Sequence, residues 1–242
     1  MNKKIITPLV MGIMLLGILL WMIPPSIFAP RPTREPTTTS PALSPTTTEE
    51  VPSVDTYKKL IPLQIMKNTI LMAIAFKGFR DEEYLQPKKI FEQAGFSVNT
   101  TSTKMGMAEG TYGTTVVIDT DINKVDPSDY LALVFSGGEG MAKELDNPLF
   151  QKLAQNFARA GKPVGAICIA PALLAKAGLL QGKKATVWSS PLYKESIKIL
   201  KDNGAIYEDR PVVRDGNIIT ANGPEAAEQF GEAIVDLLKE SK

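Results

Sequence analysis

The chain contains no histidine. That absence removes the side chain most used as a general base near neutral pH, and with it every Ser-His-Asp or Cys-His triad assembled from this chain alone. Cysteine is nearly absent as well. Cys168 stands alone among 242 residues, which excludes an intrachain disulfide and any multi-Cys or Cys/His zinc site. Neither sign of charge is in excess, with 27 Lys+Arg against 26 Asp+Glu, so no basic surplus points to nucleic acid. What remains for chemistry is one thiol and many carboxylates, with no cofactor or metal expected.

The composition changes along the chain. Lys3 and Lys4 precede an uncharged, largely apolar run from Ile5 to Ile23. As a helix rising 1.5 Å per residue it would span roughly 28 Å, enough to cross the hydrocarbon core of a bilayer. It is longer than the apolar region of a cleaved signal, and Ile27 and Ala29 before Pro30 make a poor cleavage site. Residues 1–29 therefore read as a signal anchor, with the lysines inside and the rest of the chain outside the cytoplasm. Cleavage would instead release a secreted protein. Residues 30–54 are dominated by Pro, Thr and Ser, cannot bury enough apolar surface to offset ordering, and read as an extended stalk. Residues 55–242 then form one domain of ordinary size.

Within that domain, strand and helix patterns alternate. An amphipathic segment around Tyr57 to Met66 leads to an apolar strand, Ile70 to Phe76. A helix follows over Arg80 to Gln93, with Tyr84, Leu85, Ile90 and Phe91 on its apolar side, and then a strand over Phe96 to Thr100. Thr114 to Ile118 with Lys124-Val125 suggests a small hairpin or excursion, and Tyr130 to Phe135 a third buried strand ending in Gly137-Gly138. Asn147-Pro148 opens a helix to Ala160, and Pro163 to Ile167 is a strand ending at Cys168, with a helix from Ala170 to Ala177. Strand Lys184 to Trp188, helix Pro191 to Asp202, a hairpin around Asp215-Gly216, and a last helix running from Gly223-Pro224 to Glu240 complete the order. Alternation of this kind implies a mostly parallel sheet covered on both faces, with chemistry at the carboxyl ends of its strands.

Cys168 sits at such an end. Backbone N–H groups at a helix N-terminus favour a thiolate there, the usual route to a lowered cysteine pKa. Gly137-Gly138, at the end of the preceding strand, can bring another N–H close. The alternative for a lone cysteine is simple burial in the core.

The stretch Gly165-Ala-Ile-Cys168-Ile-Ala-Pro, continuing through Gly178 to Thr186, resembles the nucleophile-elbow region of the ThiJ/PfpI family. So do the Gly137-Gly138 turn, the Phe79 to Gly95 helix and the segment Arg210 to Pro224. The resemblance covers about Asn68 to Leu238. It implies a flavodoxin-like three-layer α/β sandwich with a strand–Cys–helix elbow. It also implies Cys168 as the reactive thiol and Glu83 as the acid beside it, leaving Asp81 and Glu82 as solvated helix-start charges. The N–H groups of Gly138 and Ile169 would form an oxyanion pocket, with Gly137 and Trp188 at its wall. Family members commonly form homodimers.

The chain departs from its relatives where they carry histidine: Ile169 and Trp188 occupy those places. The resemblance thus implies a cysteine-dependent enzyme of glyoxalase or deglycase type acting on small carbonyl compounds, weakened by the missing imidazole. A non-enzymatic redox-responsive or stress-related binding domain, in which an oxidant converts Cys168, is the alternative. A cysteine peptidase or amidase would need a histidine from a partner.

Overall fold

The computed structural model describes residues 68–240. The anchor expected over 1–29, the stalk over 30–54 and the amphipathic segment Tyr57–Met66 lie outside these residues. Among the described residues, no helix is long and apolar enough to cross a membrane.

In chain order the strands are β1 (Thr69–Ala73), β2 (Lys77–Phe79), β3 (Ser97–Ser102), β4 (Met107–Gly110), β5 (Thr115–Val117), β6 (Thr120–Asp121), β7 (Ala132–Phe135), β8 (Val164–Ile167), β9 (Lys184–Ala185), β10 (Ile206–Tyr207), β11 (Val212–Asp215) and β12 (Ile218–Ala221). The helices are α1 (Asp81–Gln93), α2 (Glu139–Lys143), α3 (Pro148–Arg159), α4 (Ala170–Lys176), α5 (Glu195–Asp202) and α6 (Ala227–Glu240). Seven strands form the main sheet in the order β11-β12-β8-β7-β1-β3-β6, parallel throughout except for the β11–β12 hairpin.

The unbroken apolar run in β1 follows from this position. Leu71 and Ala73 face a core built with Phe150, Leu153 and Phe157 of α3 and Leu173 of α4. Ile70 and Met72 face the opposite core, with Phe91 of α1 and Phe230, Ile234 and Leu238 of α6. A strand covered by helices on both faces has no solvent side to make polar. From β1 the chain moves outward to β3 and β6, then returns to β7 on the other side of β1. The reversal lies between β1 and β7, where α/β sheets open a crevice at their carboxyl ends. The flavodoxin-like α/β reading is thus observed.

Several local expectations are corrected. Thr114 to Ile118 and Lys124-Val125 do not pair with each other. β5 lies antiparallel to β4, and β4 in turn pairs with β2, forming a separate three-stranded sheet. Lys124 belongs to a 3-10 turn capped by Asp121, whose carboxylate accepts the Asn123 N–H. The strand at Lys184 ends at Ala185, because the next N–H, that of Thr186, is directed to the Thr220 hydroxyl oxygen at 2.9 Å instead of a ladder carbonyl. The following helix begins at Glu195 rather than Pro191, since Ser190 and Tyr193 exchange backbone hydrogen bonds in a loop of their own. Gly223-Pro224 opens a 3-10 turn before α6. Leu85, expected on the buried side of α1, is 46% exposed.

Asp81 is not a solvated helix-start charge. It is buried and accepts the backbone N–H groups of Tyr112 and Thr114, both at 2.9 Å. Burial works against its charge. Hydrogen bonds from the Thr114 side chain and from the two backbone N–H groups outweigh burial and hold the carboxyl below 3.8. This carboxylate ties the turn between β4 and β5 to the start of α1. Because its folded value lies below its unfolded one, its stabilisation is present above pH 3.8 and lost as pH falls through the lower folded value. Asp81→Ala, which leaves two N–H groups unpaired, is expected to lower stability by about 2 kcal/mol near pH 7. The difference from the parent should shrink on acidification. Urea unfolding of both proteins at neutral and acid pH checks both statements.

Candidate active site

Cys168 has φ +62°, a left-handed conformation that no other non-glycine residue among those described adopts. Such a conformation costs about 1–2 kcal/mol for a residue with a Cβ, so the surroundings must impose it. They do so through its own backbone. The Cys168 N–H donates to the Ala221 carbonyl of β12 at 2.9 Å, and its carbonyl accepts the Trp188 N–H at 2.8 Å. With both groups held, the chain turns sharply from β8 into α4 and presents the thiol, half-buried, at the carboxyl end of the sheet. The elbow implied by the resemblance is present.

Two further elements meet it. Glu83, in the first turn of α1, is fully buried, and its Oε2 accepts the Gly137 N–H at 2.9 Å. Gly137 lies between carboxyl and thiol. A Cβ there would stand 2.7 Å from the Cys168 Cβ and 2.8 Å from Glu83 Oε2, so only glycine permits this approach. The next residue, Gly138, has φ +101° and begins α2. The backbone N–H groups of Gly138 and Ile169 both approach the sulfur. The structure therefore brings Cys168, Glu83, Gly137, Gly138 and Ile169 together.

The electrostatics differ from what the elbow alone suggests. Burial raises the Glu83 carboxyl to about 7, against the opposing pull of hydrogen bonds from the Cys168 thiol and the Gly137 N–H. The two groups are close enough to shift each other's titration, yet Glu83 Oε1 is buried without a hydrogen bond of regular geometry. Burial and the Glu83 charge push the Cys168 thiol up, while the N–H groups of Gly138 and Ile169 pull it down. The thiol expected to be lowered by its helix start is instead raised, because burial and the Glu83 charge outweigh the N–H groups of Gly138 and Ile169. A thiolate forms most readily when Glu83 holds a proton.

The sulfur opens into a pocket of about 410 Å³. Trp188 forms part of its wall, 36% exposed and in contact with Tyr193 at 5.6 Å between ring centroids. Its carbonyl accepts the Ser196 hydroxyl. Arg80, Tyr112, Glu139, Tyr193 and Glu225 also line the pocket and were not singled out from the sequence. For Glu225 a signal existed: it follows β12 as Cys168 follows β8, at the same end of the sheet. Tyr112 carried none, because it reaches the pocket only through the Asp81 tether.

The sequence model of the DJ-1/PfpI family matches residues 68–237. An uncharacterised protein of Methanocaldococcus jannaschii is 44% identical over 178 residues, covering 73% of this chain and 85% of its own length. A deglycase of Thermococcus kodakarensis is 32% identical over 174 residues, covering 72% of this chain and 100% of its own. The crystal structure of a ThiJ/PfpI domain protein from Brachyspira murdochii superposes with a TM-score of 0.69 at 34% identity, covering 72% of this chain and 98% of that one. Drosophila melanogaster DJ-1beta superposes with a TM-score of 0.61 at 26% identity, covering 72% and 95% of the two chains. With the family match spanning well over half its length and relatives of this identity covered almost end to end, the chain belongs to the DJ-1/PfpI family.

Proposed function

We propose that the domain is a cysteine-dependent enzyme of the deglycase or glyoxalase type, acting on small carbonyl compounds and held outside the cytoplasm by the N-terminal anchor. The observation that carries this reading is the strained Cys168 turn, which places the thiol beside a buried acid and two backbone donors at the floor of a pocket. The deglycase among the relatives supports the substrate class. The membrane location rests on the run Ile5 to Ile23 behind Lys3 and Lys4.

The chemistry follows from the arrangement. The Cys168 thiolate attacks an aldehyde carbon, a C–S bond forms, and the carbonyl π pair moves to oxygen. That oxygen takes hydrogen bonds from the Gly138 and Ile169 N–H groups and a proton from Glu83, giving a hemithioacetal. Glu83, now a carboxylate, is the base nearest the new carbon. General acid–base catalysis by a well-placed group contributes about 10²–10⁴-fold. With Ile169 and Trp188 where relatives carry imidazole, turnover is expected to be slower by a factor in that range.

The full chain, produced in a bacterial host, should turn over methylglyoxal in the membrane fraction, and Cys168→Ser should not. Equal turnover by the two proteins removes Cys168 from the mechanism, and wild-type activity confined to the soluble fraction removes the anchor. The coupling of the pair gives a second measurement. The rate of Cys168 alkylation against pH should carry an inflection near 7 from Glu83, and Glu83→Gln should abolish it. Stability follows the same group. Its folded value lies above 4.5, so the neutral carboxyl favours folding at low pH and that contribution is lost as pH rises from 4.5 through about 7. Profiles of identical shape in the two proteins would show that the carboxyl does not reach the sulfur.

A second reading is favoured by one observation, the buried Glu83 Oε1 without a regular partner. Two successive reactions with peroxide, each releasing water, would convert the thiolate to a sulfenate and then a sulfinate. Protonated Glu83 can hydrogen-bond the added oxygen through this atom. Mass spectrometry after mild peroxide should then show two oxygens gained at Cys168, and fewer in Glu83→Gln. Oxidation passing directly to the sulfonate in both proteins speaks against a protected sulfinate.

A further inference from the structure

Resting on the carbonyl chemistry above, we propose that this pocket selects its substrate by charge. It admits carbonyl groups carried on a cationic ammonium or guanidinium group and disfavours anionic carbonyl compounds, with Glu139 and Glu225 as the residues that set the preference.

Arg80 is the single cation among the described residues that line the pocket. It is committed elsewhere: its Nε donates to Glu82 Oε2 at 2.8 Å, and its guanidinium lies 4.7 Å from the centroid of the Tyr112 ring. Its charge is offset by Glu82, and its flat face is covered by the tyrosine. Glu139 and Glu225 line the same pocket and, among the described residues, form no ion pair. The remaining charge on the walls is therefore negative. Glu83 adds to it whenever its buried carboxyl is ionised. Its carboxyl lines the floor of the same pocket, where the Cys168 thiol and the Gly137 N–H already donate to it.

The apolar part of the wall fits the same ligand. Trp188 and Tyr193 stand together at the mouth, both partly exposed, with their rings inclined at 38°. Gly223 brings the two features together. A Cβ there would lie 3.3 Å from Trp188 Cδ1 and 3.5 Å from Glu225 Oε2, so the indole edge and this carboxylate flank the same glycine. Aromatic faces next to unpaired carboxylates are the surroundings that stabilise an organic cation. The pocket volume of about 410 Å³ leaves room for more than a three-carbon dicarbonyl. A phosphate or carboxylate carried by the substrate would instead meet two like charges and no free cation.

The test reads the field at the sulfur without requiring turnover. Full-length protein in detergent is reacted at pH 6 with three methanethiosulfonate reagents: a trimethylammonium-ethyl, a methyl and a sulfonatoethyl derivative. Each rate is divided by that of the same reagent with a small free thiol. At this pH Glu83 is mostly protonated, so the rim carboxylates dominate. The normalised ratio of cationic to anionic reagent should exceed one by about tenfold at low salt, and added salt should reduce it. The Glu139→Gln/Glu225→Gln double variant should bring the ratio to within about twofold of unity, with its thermal unfolding midpoint reporting that the fold is intact. Equal normalised rates in the wild type overturn the proposal, and a ratio that survives the double substitution overturns its assignment to these residues.

A catalytic arm separates this inference from the reading on which it rests. A 2-oxoaldehyde bearing a trimethylammonium group should show a KM about tenfold below that of a 2-oxoaldehyde bearing a carboxylate, and the double variant should narrow the gap. If neither aldehyde is turned over while the reagent ratios behave as stated, the enzymatic reading fails and the charge preference stands. If both are turned over with equal KM, the enzymatic reading stands and substrate selection by charge fails.

Discussion

The site depends on one backbone constraint, the left-handed turn at Cys168. A residue bearing a Cβ does not hold φ +62° without compensation, and here its N–H and carbonyl are each bound by a different strand-end segment, Ala221 and Trp188. Those two hydrogen bonds also bring the segments after β9 and β12 to the thiol, so the turn organises the pocket as well as presenting the sulfur. Trp188 and Glu225 reach the pocket on these segments. The strain is local, and the parallel sheet behind it, buried on both faces, is the rigid body that bears it.

Around that turn, three consecutive acids at the start of α1 are divided among three tasks. Asp81 turns inward to hold the backbone of the β4–β5 turn, Glu82 pairs with Arg80, and Glu83 enters the site beside the sulfur. Their surroundings separate their chemistry. Asp81 is buried but receives enough hydrogen bonds to stay ionised, whereas Glu83 is buried with fewer and is raised to about 7. Burial alone therefore predicts neither outcome. The number of donors that burial brings with it decides whether a carboxyl keeps its proton.

The missing histidine takes on a local meaning in this setting. Ile169 is buried beneath the elbow and contributes its backbone N–H rather than a side chain. Trp188 contributes an indole to the pocket wall, next to Tyr193 and close to Glu225. Where an imidazole would shuttle protons, this chain has an aromatic surface beside carboxylates. Glu83 is the buried carboxyl beside the sulfur, and Glu139 and Glu225 stand at the rim without an ion pair among the described residues.

Much of this was legible in the residues alone. Consecutive apolar positions in β1 and the Asn147-Pro148 helix start state the fold class, and the cysteine between an apolar strand and a helix is placed at a strand end, because local pattern and backbone preference determine them; only the family resemblance implied that it is a nucleophile. The pairing of β5 with β4 was not legible, since strand partners are chosen by long-range register that a three-residue run does not encode. Nor did composition distinguish Asp81 from Glu83, whose difference lies in which distant N–H groups reach each carboxyl. The sequence by itself determined that this chain offers one thiol among carboxylates, without imidazole, on an α/β sheet. Only the tertiary structure decided which carboxyl shares its titration with that thiol and which stand unpaired at the rim, because those properties arise from burial and donors brought together from opposite ends of the domain.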